Sequence, residues 1–263
     1  MKQLFAALGL LVLLNPAHAE IQTEEVSYSD NGTTMQGYLA FDDSVEGPRP
    51  GVLVVHEWWG HNDYARRRAE MLAGLGYTAL AVDMYGEGQQ ADHPEDAGRF
   101  AAEVMQSSDV GRSRFLAAMA FLQQHETVNP DKIGAIGYCF GGAVVLNMAR
   151  SGVDLDGVVS FHGSLASPIS AEEGAVEARV LVLHGGADSF IPEEQIQAFK
   201  DEMEAAGADY EFVSYPGVLH SFTNPEADAN AEKFGIPIAY DAEADADSWE
   251  RMQAFFEEVF ADG

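Results

Sequence analysis

Positive charge and cysteine are the two things this chain has least of. Its 263 residues carry 14 Lys and Arg against 43 Asp and Glu, a formal net charge of −29 at pH 7. A field of that sign repels phosphate backbones, so nucleic-acid binding is excluded as a function class. The acidic load names no partner; solubility is its plain reading, with a saline habitat one setting for it that composition alone does not establish. The one cysteine, Cys139, rules out an intramolecular disulfide. No apolar run approaches the ~20 residues that a membrane-spanning helix needs. Disorder is excluded as well, because 47% of the residues are hydrophobic. The length suits one large α/β domain, and no linker divides it.

The first residues read as an export signal. Lys2 precedes the apolar run Leu4 to Leu14, and Ala17-His18-Ala19 supplies an A-x-A cleavage site before Glu20. Residues 1–19 are therefore expected to be a signal peptide cut after Ala19. Residues 20–263 are expected to be a single domain working in the periplasm or secreted. An uncleaved anchor is the alternative; once the signal is removed, no stable membrane association is expected. A free thiol in an oxidising compartment is at risk, so the neighbours of Cys139 matter.

Ile21 to Tyr28 and Thr34 to Phe41 alternate apolar and polar residues around Asp30-Asn31-Gly32, a hairpin signal because Asn-Gly accepts positive φ. Short strands follow at Gly51 to Val55, Tyr77 to Val82, Ile133 to Ile136, Gly157 to Phe161, Val180 to Leu183 and Tyr210 to Tyr215. Their continuous apolar runs suit strands buried on both faces. Helical stretches lie between them: Ala65 to Leu75, two helices over Pro94 to Gln124 broken near Ser107-Ser108, and one ending at Arg150. Pro192 to Ala206 and Ser248 to Phe260 complete the helices. This alternation predicts an α/β fold: a mostly parallel central sheet, an N-terminal antiparallel hairpin, and helices on both faces. The Asp- and Ala-rich stretch Asp241 to Asp247 reads as a solvated acidic loop.

The chemistry gathers at strand ends. Gly137-Tyr138-Cys139-Phe140-Gly141, between a buried strand and a helix, is the nucleophile-elbow pattern with cysteine in place of serine. No Lys-[Ser/Thr] follows and no G-x-G-x-x-G spacing is present, so a phosphate cradle fits less well. A thiol nucleophile needs a base, and the base an orienting carboxylate. Asp188, in His184-Gly185-Gly186-Ala187-Asp188, and His220, in Val218-Leu219-His220-Ser221-Phe222, follow in that order. Each leaves the carboxyl end of a strand, the edge at which such folds place their sites.

His56-Glu57-Trp58-Trp59-Gly60-His61 has the look of a zinc motif but fails it. The two histidines are not four apart on a helical face. No metal and no cofactor is expected. His162 and His184 end strands and are expected to hydrogen-bond at the sheet edge, with a pocket-lining role open for His162. His93 and His125 read as surface or helix-end residues.

Gly-Tyr-Cys-Phe-Gly-Gly, His-Gly-Gly-Ala-Asp, His-Ser-Phe and the early His-Glu-Trp-Trp-Gly together resemble the dienelactone hydrolase family of the α/β-hydrolase fold, in order from Gly51 to Phe260. The resemblance implies a triad of Cys139, Asp188 and His220. It implies that Glu57 faces the thiol and takes part in switching it to the thiolate. It also implies an oxyanion hole made by the backbone N–H groups of Trp58 and Phe140. Trp58, Trp59, Tyr85, Phe140, Phe161 and Phe222 are candidates for an aromatic pocket wall, each equally a candidate for the core.

The departures bear on substrate. Members specific for dienelactones hold the substrate carboxylate with two arginines. Here Asp83-Met84-Tyr85 is followed by Gly86-Glu87-Gly88, and His220-Ser221-Phe222 by Thr223-Asn224-Pro225. The segment Asn224 to Asp247 is inserted before the last helix and reads as pocket rim or as surface decoration. The expected function is therefore cysteine-dependent hydrolysis of small neutral esters or lactones through an acyl-thioester. The rivals are a true dienelactone hydrolase (carboxymethylenebutenolidase), and a redox-responsive or binding protein that has lost efficient hydrolysis. The expected partner is a small-molecule ester or lactone, met by a monomer or small homo-oligomer.

Overall fold

A computed structural model of the chain describes residues 20–105 and 108–261. The expected signal peptide, residues 1–19, and Ser107 of the expected helix break lie outside them. The antiparallel hairpin forms from β1 (Ile21–Asp30) and β2 (Thr33–Asp42). Its turn sets Asn31 at φ 47° and Gly32 at φ 88°, the left-handed pair that a two-residue loop needs. β2 then pairs antiparallel with β4 (Thr78–Val82). From there the pairing is parallel through β3 (Arg49–Val55), β5 (Val128–Tyr138), β6 (Gly157–Phe161), β7 (Arg179–Gly185) and β8 (Tyr210–Tyr215). Among the described residues the sheet has eight strands in the order β1-β2-β4-β3-β5-β6-β7-β8.

Side chains alternate across the sheet, and both faces are covered. Leu53 and Val55 of β3 join one core with Phe115 and Leu122 of α3 (Ser108–Gln123), Val144 of α4 (Phe140–Arg150) and Phe199 of α5 (Glu193–Ala206). Val52 and Val54 join the other, with Tyr64 and Leu72 of α1 (Asp63–Ala73) and Phe256 of α7 (Ala242–Ala261). Two buried faces are why these strands read as unbroken apolar runs. α7 lies close over β5: a Cβ on Gly134 would come within 2.7 Å of the Phe256 ring. α2 (Pro94–Met105) and α6 (Ala227–Phe234) lie in the long connections. No helix among the described residues is long and apolar enough to cross a membrane.

The acidic stretch Asp241 to Asp247 is helix, not loop, since α7 begins at Ala242. The Asp241 carboxylate accepts from the amides of Glu243 and Ala244 at 3.1 and 2.9 Å, as a capping side chain does. Glu243 and Asp245 occupy the first turn, where the helix dipole favours negative charge. Composition that reads as loop chemistry is here helix-starting chemistry.

Candidate active site

β5 ends at Tyr138 and α4 begins at Phe140, so Cys139 alone reverses the chain. It does so at φ 53° and ψ −113°, a conformation that costs a non-glycine residue about 1–3 kcal/mol. Glycines create the room. A Cβ on Gly137 would stand 2.1 Å from the Gly141 carbonyl oxygen, and one on Gly141 2.2 Å from that of Val55. β3, β5 and α4 therefore meet backbone to backbone, leaving a partly exposed Cys139 at the carboxyl edge of the sheet.

His220 and Asp188 arrive from the loops after β8 and β7. Gly185 lets these loops touch, for a Cβ there would lie 2.6 Å from the Leu219 carbonyl oxygen; beside it the Ala187 amide donates to the Val218 carbonyl at 2.9 Å. The imidazole Nδ1 of His220 lies 2.7 Å from Asp188 Oδ2, and Asp188 Oδ1 accepts the Phe190 amide at 2.9 Å. The Cys139 sulfur stands near enough to His220 to act on its charge, and Nε2 is the ring nitrogen that Asp188 leaves free. Burial opposes a charge on this imidazole, but the Cys139 sulfur and the Asp188 carboxylate outweigh it and push His220 up to about 10. Cys139, His220 and Asp188 are thus brought together, with His220 bonded to Asp188 and sharing a cavity with Cys139.

Glu57 follows β3 and is buried. Its two oxygens accept from the Ser221 hydroxyl at 3.0 Å and from the Asn224 side-chain amide at 2.6 Å. Burial pushes the carboxyl up, while Asn224, His220 and Ser221 pull it back. Both of its hydrogen-bond partners belong to the loop that carries His220. Ser221 and Asn224 were not singled out from the sequence, although both sit within four residues of His220.

Cys139 and His220 share a cavity of about 340 Å³. Its wall is apolar, with Trp58, Phe140, Phe190, Ile191, Ile236 and Ile238 prominent, and no Lys, Arg, Asp or Glu among the described residues lines it. Ile236 and Ile238 come from the inserted segment, which is therefore pocket rim. Trp58 and Phe140 hold to the expected wall. The other four aromatics do not line the cavity, because each is taken up in packing. Trp59 stacks on Phe234 at 5.7 Å, and Tyr85 sits between His56 and Phe140 with its hydroxyl donating to the Trp58 carbonyl at 2.9 Å. Phe161 stacks on Tyr138 at 4.7 Å, and Phe222 packs against His162 and Tyr215. Phe190, half exposed and 5.1 Å from the His220 ring, was not foreseen.

Among the described residues the Trp58 and Phe140 amides have no hydrogen-bond acceptor, so both are free to donate. Arg114, close behind Tyr85, donates to the carbonyls of Met84 and Tyr85 and supplies no clamp to the cavity. His56 and His61 are fully buried; no group of three or more His, Cys, Asp or Glu among the described residues is arranged to hold a metal ion.

The sequence profile of the dienelactone hydrolase family matches residues 35–260. The chain belongs to the dienelactone hydrolase family. It is similar to the dienelactone hydrolase-like promiscuous phosphotriesterase P91 from metagenomic libraries: 37% identity, 92% of this chain and 99% of that one covered, TM-score 0.87. Protein usf of Aquifex pyrophilus is 29% identical over 239 residues, covering 89% of this chain and 97% of the relative. MGS-M1, an alpha/beta hydrolase enzyme from a Medee basin deep-sea metagenome library, is only 15% identical but superimposes with a TM-score of 0.64, covering 90% of this chain and 98% of that one. The architecture of this dienelactone hydrolase-like protein is accordingly the α/β-hydrolase fold, with the central sheet and hairpin described above.

Proposed function

We propose that this family member is a cysteine-dependent hydrolase of small neutral esters or lactones, acting through an acyl-thioester. The observation that carries the reading is the juxtaposition of Cys139 with the bonded pair His220–Asp188, at the wall of a cavity that no Lys, Arg, Asp or Glu among the described residues lines. The Cys139 sulfur, its proton held by His220, attacks the substrate carbonyl carbon. The carbonyl electron pair moves to oxygen, where the Phe140 and Trp58 amides receive it; one such donor is typically worth ~10²–10³ in turnover. Collapse expels the alcohol oxygen, which takes the proton from His220 and leaves the acyl group on sulfur. His220 then removes a proton from water, the hydroxide attacks the thioester, and the acid departs as the thiolate–imidazolium pair reforms. Asp188 fixes the imidazole tautomer and opposes its charge. Glu57, tied to Ser221 and Asn224, acts on the same loop.

The test follows hydrolysis of a short-chain p-nitrophenyl ester by the purified protein under reducing conditions, beside Cys139→Ala. A carboxylate-bearing dienelactone is the second substrate. P91 is a promiscuous phosphotriesterase, and a cavity without Lys, Arg, Asp or Glu admits a neutral phosphotriester too, so one is the third. Ester turnover lost in Cys139→Ala, with little dienelactone turnover, is expected. Preferred dienelactone turnover would show that the cavity holds a substrate carboxylate without the two arginines. No Cys139-dependent turnover, with stoichiometric peroxide modification of the thiol, would favour the redox-responsive reading. We further propose export to the periplasm through residues 1–19. A mature N-terminus at Glu20 is the expected mass-spectrometric result, and an intact Met1 the opposing one.

A further inference from the structure

His162 directly follows β6, is fully buried, and has φ 41°, uncommon for a residue with a side chain. Its backbone amide donates to the Leu183 carbonyl of β7 at 2.8 Å. Its ring lies between the loops that carry Cys139 and His220. Nδ1 accepts the Cys139 backbone amide at 3.1 Å, and Nε2 is 2.7 Å from Thr223 Oγ1, three residues past His220. The ring also packs edge-on against that of His220, centroids 5.2 Å apart. A nitrogen that accepts carries no proton, so the ring proton sits on Nε2, His162 is neutral, and Thr223 receives its hydrogen bond. Burial, His220 and Arg68 all disfavour a second proton. Thr223 is itself anchored: its hydroxyl meets the Tyr64 hydroxyl at 2.6 Å, and its carbonyl accepts from Arg68 at 2.7 Å.

We propose that His162 is a positioning residue, whose two ring nitrogens set the spacing between the cysteine elbow and the histidine loop. This rests on the cysteine-hydrolase reading above. The relevant property is an acceptor and a donor on one small rigid ring, one facing each loop. The same bond sorts the two neighbouring amides of the elbow. The Cys139 amide is turned inward, shared between His162 and the Phe161 carbonyl at 3.0 Å, so that of Phe140 is the one left facing the cavity.

Three variants separate this role from simple packing. In His162→Asn the side-chain oxygen can replace Nδ1, and asparagine tolerates the left-handed backbone; the link to Thr223 is lost. His162→Gln reaches toward Thr223 but offers the Cys139 amide no acceptor, and His162→Leu keeps neither link. The expected order of kcat is wild type, Asn, Gln, Leu, with KM unchanged. Asn stays within about tenfold of wild type, and Leu falls about 10²-fold, the cost of a small misplacement of reacting groups. The second-order rate of Cys139 alkylation by iodoacetamide is expected to follow the same order, with no ester turnover required. Leu equal to or above Asn in both readouts, or a change confined to KM, overturns the proposal. If Leu does not fold, Asn against Gln decides it: Asn above Gln supports it, and the reverse overturns it. A wild type with no Cys139-dependent turnover would defeat the hydrolase reading, while the alkylation order would still judge the role of His162.

Discussion

A charge on His220 is useful only while something opposes it, and here the Cys139 sulfur and the Asp188 carboxylate do so against the effect of burial. The imidazole is a base raised from its ordinary 6.5 to about 10. Its protonated form, which in the proposed mechanism supplies the proton to the leaving alcohol, therefore persists through neutral pH and is lost only as pH rises toward 10. We expect kcat/KM to fall on the alkaline side near that value. In Asp188→Asn one of the two supports is gone, so the same limb should move toward neutral pH; a limb that stays in place would count against this account. The elbow offers a second prediction. Gly141→Ala places a Cβ 2.2 Å from the Val55 carbonyl, and the backbone shift it forces should cost at least ~1–3 kcal/mol, read as a lower urea midpoint. At this scale the approach of Cys139, Asp188 and His220 to one place was legible because each sits in a short local motif. Ser221 and Asn224 were not, because their partner Glu57 lies far along the chain; His162 was legible as a hydrogen-bonding residue of the sheet edge, but not its two loop partners, which only folding brings close. Trp59, Tyr85, Phe161 and Phe222 show the converse: an aromatic inside a motif carries no mark of which way it will pack.

At the scale of elements, the segment between Asn224 and Asp247 is tied to His220 by backbone. The Ala239 amide donates to the His220 carbonyl at 3.2 Å, and that of Asp241 to Phe222 at 3.0 Å. Ile238 bridges His220 in parallel register. The pairing holds Ile236 and Ile238 against the cavity, so the insert shapes the space offered to substrate. Replacing both by Ala should raise kcat/KM for longer acyl esters relative to butyrate, measured across a chain-length series, and an unchanged ratio would remove the insert from specificity. Asp241→Ala should cost about 1 kcal/mol through the lost cap, seen in thermal unfolding. The strands and most helices were readable from apolar periodicity, because the sheet is covered on both faces and its runs are unbroken. The start of α7 was not: Asp and Glu are equally at home in loops and in first helical turns, and only the bonds from Asp241 distinguish the two.

For the whole molecule, two electrostatic effects pull stability in opposite directions as pH falls. The net charge of −29 repels itself, and protonating surface carboxylates relieves that strain. Four buried histidines act the other way. Burial lowers the affinity of His56, His61, His162 and His184 for a proton, to about 3 for His61. Below pH 6.5 the unfolded chain takes up protons at these positions and the folded chain does not. Stability from this source is complete above about 6.5 and is lost as pH falls toward the folded value, by up to ~1.4 kcal/mol per pH unit for each histidine. Glu57 and Asp156, raised by burial, favour the folded state on acidification but are two groups against four. His220 adds no slope below 6.5, where folded and unfolded states both hold its proton. Salt separates the two effects, since at 1 M the screening length is about 3 Å and surface repulsion is largely silenced while buried groups are not. In 1 M salt the free energy of unfolding in urea should therefore fall between pH 6.5 and 5. His61 is the position to vary, because it is buried away from the cavity and its Nε2 has no hydrogen-bond partner among the described residues. His61→Gln should flatten the slope by up to ~1.4 kcal/mol per pH unit; equal slopes in the two proteins would show that acid sensitivity comes from elsewhere.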